Sequence, residues 1–69
     1  MLLLRRRLVR LHLVDPFPSI EGILLPSFDG HYRLKKVDVI EGTERTQRLG
    51  VGDEAWVPRE RVIFVQRLG

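Results

Sequence analysis

Cysteine is absent from the 69 residues, which excludes disulfides and thiolate metal sites. The only histidines, His12 and His31, have eighteen residues between them and make a poor start for a metal centre. No apolar run approaches the roughly 18 residues needed to span a bilayer as a helix. Met1-Leu-Leu-Leu4 followed by three arginines inverts the order of a secretory signal, whose positive charges precede its apolar stretch. A soluble, intracellular chain with no membrane partner is expected. Catalytic groupings are also lacking: Ser19 and Ser27 stand in proline-bounded turns with no histidine beside them in sequence. Gly50-Val-Gly52 has neither the further glycine nor the helix start of a phosphate-binding loop. The expectation is a protein that is not an enzyme and uses no cofactor.

What is present is a small folded domain. An apolar content of 43% with 30% charged residues is globular in character. A chain this short buries only about 60% of its unfolded surface, and without disulfides or metal the remaining source of stability is a partner subunit. Net charge is +3, unevenly placed. Residues 1–14 carry Arg5, Arg6, Arg7 and Arg10 and no acid, whereas the rest is close to neutral. A basic N-terminal segment, residues 1–10, therefore leads a neutral body, and its arginines suit nucleic acid or an acidic protein face. A solvated strand face is the plain alternative.

Period-two alternation predicts a strand over Leu8 to Val14, with Val9, Leu11 and Leu13 on one face and Arg10 and His12 on the other. Leu4, Leu8 and Leu11 also fall at helical spacing, so a short N-terminal helix stays open. Asp15-Pro-Phe-Pro-Ser19 is a turn. A second strand spans Ser19 to Leu25, with Gly22 where a strand bends or admits another backbone. After the Asp29-Gly30 turn, a third strand runs from His31 to Ile40, its parity slipping near Lys35-Lys36, which predicts a bulge. Glu41 to Gly52 reads as the longest irregular stretch, a functional or interface loop or else a long hairpin. Glu54 to Val57 and Val62 to Gln66 are the fourth and fifth strands, joined by a three-ten turn over Pro58–Arg61. The fold class expected is all-β, one domain over 1–69, a strongly bent five-stranded barrel.

Ile20-Glu-Gly-Ile-Leu-Leu-Pro-Ser-Phe-Asp-Gly-His-Tyr-Arg-Leu34 resembles the first motif of Sm-like barrels, and Ala55-Trp-Val-Pro-Arg-Glu-Arg-Val-Ile-Phe-Val65 resembles the second. The order of elements is similar to that of Src-homology-3-like barrels as well. By this resemblance Tyr32, Arg33, Trp56 and Arg59 are candidate contacts for a partner or a nucleic acid. Tyr32 and Arg33 stand where the Sm pattern places its base-reading pair, and Pro58-Arg59 where it places Arg-Gly. Strand-to-strand assembly is the property that carries over.

Val62, Ile63, Phe64 and Val65 are apolar on both faces of one strand and are the candidate assembly edge. Trp56 either packs beneath the long loop or stands outward as a partner anchor. By type, a stand-alone barrel with an arginine-rich start resembles small structural proteins of tailed phages. The function expected is therefore a non-catalytic assembly barrel, a homo-oligomer or part of a virion put together in the host cytoplasm. An Sm-like RNA or DNA binder and a peptide-binding adaptor are the alternatives.

Overall fold

The protein is described here by a computed structural model covering residues 7–27, 29–50 and 52–68. Six strands form one antiparallel sheet: β1 (Leu8–Leu13), β2 (Ser19–Leu25), β3 (His31–Glu41), β4 (Glu44–Arg48), β5 (Glu54–Pro58) and β6 (Val62–Arg67). A three-ten turn, Arg59–Arg61, separates the last two. The hydrogen-bonded order is β4-β3-β2-β1-β6, with β5 attached to β3. The sheet bends in the manner of a barrel and is not closed by hydrogen bonds.

Two sequence expectations are corrected. There are six strands where five were expected, because Glu41 to Gly52 is not one irregular loop. Its first part is a tight hairpin, with Glu41 paired to Glu44 across Gly42-Thr43 and Gly42 at φ 65°. β4 carries no apolar residue and is exposed throughout, so no alternation announced it. The helical option at the N-terminus fails at Leu8 and Leu11, which are both in β1; residues 1–6, with Arg5 and Arg6, lie outside the described residues.

The core is built from one face of the strands other than β4. Val9, Leu11, Leu34, Val37 and Val57 are buried together, flanked by Leu13, Ile20, Leu24, Tyr32, Leu49, Ala55 and Val62. Among the described residues no side chain larger than leucine is fully buried. The core is thin, and each leucine in it carries a large share of the burial that holds the fold.

The sharpest local demand falls on Gly22. β2 and β3 pair in register at Glu21–Asp38 and again at Ile23–Lys35, so Gly22 alone faces Lys36 and Val37. That is the bulge the slipped parity predicts, and Lys36 takes a left-handed φ of 54° to make it. A Cβ on Gly22 would stand 2.8 Å from the Lys35 carbonyl oxygen and 3.3 Å from Leu34 Cβ. The first neighbour is backbone and cannot rotate away. Gly22→Ala is therefore expected to destabilise by about 1–3 kcal/mol, lowering the melting temperature by about 4–8 °C for each kcal/mol. A thermal melt within about 2 °C of the native chain would show that the bulge yields at little cost.

Candidate functional site

β6 ends the strand order, hydrogen-bonded to β1 on one side and to no strand among the described residues on the other. Pairing runs Val9–Arg67, Arg10–Gln66, Leu11–Val65 and His12–Phe64, then shifts so that Leu13 meets Val62. Ile63 is the extra residue of this bulge. Partners in register share a face, so Val62 and Val65 follow Leu13 and Leu11 to the core side while Phe64 and Gln66 stand outside. The two-sided apolarity read from sequence is thus real, yet the cover is missing. Ile63 is 63% exposed, Phe64 54% and Val65 38%.

Neighbouring groups shape this edge. The His12 ring stacks on Phe64 with centroids 4.2 Å apart, and His12 Nε2 lies 2.8 Å from Gln66 Oε1. Val14 N–H donates to the Arg61 carbonyl, and Phe17 N–H donates to the Val14 carbonyl, which brings the exposed Phe17 beside the start of β6. Arg61 holds its guanidinium 5.9 Å from the Phe17 ring. Phe17 is a further exposed aromatic near the start of this strand, and its place depends on the turn that returns it.

Free strand edges are usually guarded by lysine, proline or inward-pointing charge. β4, the opposite end of the order, is guarded in that way: its five residues, Glu44-Arg-Thr-Gln-Arg48, are polar. β6 offers Val-Ile-Phe-Val before its first polar residue and has only the bulge as protection.

The other candidate contacts do not converge. Tyr32 pairs with Val57 and turns to the core, with the Arg59 guanidinium 4.9 Å from its ring. Arg33 pairs with Trp56 on the opposite face. There Arg33 donates from Nε and Nη2 to the Glu54 carboxylate, and from Nη1 to the Pro26 carbonyl. The Trp56 indole N–H also donates to Glu54, at 3.0 Å, and the ring lies under the Arg33 guanidinium at 5.4 Å. Hydrogen bonds from Arg33, and then from Trp56, hold the Glu54 carboxyl below its ordinary value. Trp56 is 56% exposed, so of its two sequence readings the outward one describes the fold.

Arg10 is drawn into a row that the sequence did not reveal. Arg10, Glu21, Asp38 and Arg48 are register partners across β1, β2, β3 and β4 on the outer face. Two acids side by side would repel. Arg45 Nη1 bridges them, 2.6 Å from Glu21 Oε1 and 2.9 Å from Asp38 Oδ2. Arg10 closes on Glu21 at 2.8 Å and Arg48 on Asp38 at 2.8 Å. Both carboxylates are buried beneath the three guanidinium groups. Their one visible signal was an acid standing alone among apolar residues in each strand. Arg7, the remaining described member of the basic arm, is exposed, and its carbonyl accepts Leu24 N–H.

Burial alone would raise the Glu21 carboxyl, but the hydrogen bonds from Arg10 and Arg45 outweigh it and hold it below its ordinary 4.5. Asp38 is held below its ordinary 3.8, first by the Arg48 hydrogen bond, against burial. Depressed carboxylates add stability that is complete above the unfolded values and is lost as pH falls through the folded ones. Stability is therefore expected to be flat above about pH 5 and to drop below it. The double variant Glu21→Gln, Asp38→Asn should be less stable at neutral pH and lose less on acidification, read from urea midpoints at each pH. Equal acid slopes for the two proteins would remove the row as the cause.

No family model, curated protein or solved structure matches the chain.

Proposed function

We propose that this chain is a non-catalytic assembly module whose β6 edge joins a second copy, extending the sheet from one protomer into the next. The observation that carries the reading is the contrast between the two ends of the strand order: charged at β4, apolar and unguarded at β6. Main-chain hydrogen bonds along β6 would supply affinity, and Ile63, Phe64 and Val65 would supply the apolar contact. Thin burial in the core gives assembly a thermodynamic reason, since a partner that binds only the folded state stabilises it.

Return of the last strand to β1, with a three-ten turn before it, supports the resemblance to Sm-like and Src-homology-3-like barrels. β4 would then be an addition to that plan. Nucleic-acid binding centred on Tyr32 and Arg33 draws less support, because Arg33 is engaged by Glu54 and Tyr32 lies against the core. Exposed Trp56 keeps a peptide partner as the third reading. A virion as the setting rests on the sequence resemblance alone.

Sedimentation velocity over a range of concentrations tests the proposal. The native chain should shift to larger species as concentration rises. A well-folded monomer that persists at about millimolar concentration would overturn self-assembly, since an edge weaker than about 4 kcal/mol could not organise a particle.

A further inference from the structure

On the side of β3 away from β2, the edge is shared between two strands. β5 occupies His31–Lys35 and β4 occupies Asp38–Glu41, so the chain at Lys36–Val37 has no strand beside it and only Leu49 N–H reaches the Val37 carbonyl. At this parting a groove of about 560 Å³ opens, lined by Lys35, Lys36, Arg48, Leu49, Gly50 and Gly52. Every charged side chain in the lining is basic. Of the nearby acids, Asp38 is held by Arg45 and Arg48, Glu54, the register partner of Lys35, is held by Arg33 and Trp56, and Asp53 accepts Gly50 N–H while keeping its charge. Lys35 and Lys36 are exposed, and the Arg48 side chain is 76% exposed despite its ion pair.

Lys36 adds an independent observation. A left-handed backbone at φ 54° is easiest for glycine, yet this position of the bulge holds a lysine. Backbone cost retained at one residue points to a use for its side chain. We infer that the groove binds the phosphate backbone of single-stranded nucleic acid. Lys35 and Lys36 act as compact point charges for phosphate, and Arg48 offers the guanidinium face that its pair with Asp38 leaves open. The groove is of a size that takes a nucleotide unit rather than a lone phosphate. Its described lining residues include no aromatic ring to stack a base and no side-chain amide to read one, so recognition is of the backbone and independent of sequence. This site lies toward the other end of the strand order from β6.

Fluorescence anisotropy with a labelled oligothymidine tests it. If three phosphates are neutralised, affinity should fall about 20-fold between about 50 and 200 mM salt. The double variant Lys35→Gln, Lys36→Gly should bind more weakly at low salt and show only about a threefold fall over the same range. Glycine suits the Lys36 backbone, so a melting temperature at or above the native value would exclude misfolding as the cause. Inorganic phosphate should compete no better than chloride at equal ionic strength. Stronger competition by phosphate, equal binding to phosphatidylserine vesicles, or binding lost with Arg5, Arg6 and Arg7 changed to Gln but kept in the lysine variant would each overturn the inference. So would absence of binding at low salt. Ile63→Lys, which bears on β6 alone, should bind the oligonucleotide no less tightly than the native chain, separating this site from the assembly reading.

Discussion

Leu34→Ala is expected to lower the melting temperature of the chain by about 10–40 °C. Leu34 is fully buried, and in β3 it pairs with Leu24 on one side and Ala55 on the other, at the centre of the cluster that includes Leu11, Val37 and Val57. Truncating such a leucine costs about 2–5 kcal/mol, transfer and cavity together. A chain of this length has roughly 3–10 kcal/mol to lose. Small domains convert each kcal/mol into about 4–8 °C of melting temperature. Circular dichroism melts should show a broad transition displaced by tens of degrees, or none. A displacement under about 5 °C would mean that the bent sheet collapses into the vacated space, and the core would then not be the limiting element. Leu34→Ile, which keeps the volume, should recover most of the loss.

Ile63→Lys carries the second large effect, on association and not on the fold. Ile63 is the unpaired residue of the β1–β6 bulge and, among the described residues, the most exposed of the large apolar side chains. Its removal costs the monomer little, since it buries little there. In a β6-mediated assembly it would lose roughly 2–3 kcal/mol of apolar burial, and a lysine on a strand edge also opposes pairing. Self-association should weaken about 30- to 150-fold, read as a shift of the sedimentation midpoint with concentration. An unchanged midpoint would move the interface elsewhere. Because association stabilises only the folded state, the native melting temperature should rise with concentration while that of the variant should not.

These two residues mark what the sequence makes legible. Strands with apolar alternation, from Leu8 to Leu25, declare themselves because burial holds them, and burial needs period two. Gly22 and the slip at Lys35-Lys36 are legible for the same reason: a break in the period must be absorbed somewhere. β4 is not, since it is tied down by Arg45 and Arg48 to acids that lie far back in the chain. Charge pairing of that kind leaves no period to read. Trp56 shows a related limit, because a strand with apolar residues at successive positions does not say which face meets the core. The exposed β6 edge could be anticipated from its two apolar faces. The basic groove could not, for it arises only where topology sets a bulge in β3 beside the end of β4.

The Gly42-Thr43 hairpin has a practical meaning as well. Its tip is exposed, β4 itself is exposed throughout, and the five residues of the core cluster lie in other strands. Extra sequence spliced between Gly42 and Thr43 would meet no packed neighbour, and closing a longer loop costs little. Of the described turns, this is the one where a reporter peptide or a foreign epitope can be carried while β6 and the groove at Lys36 keep their places.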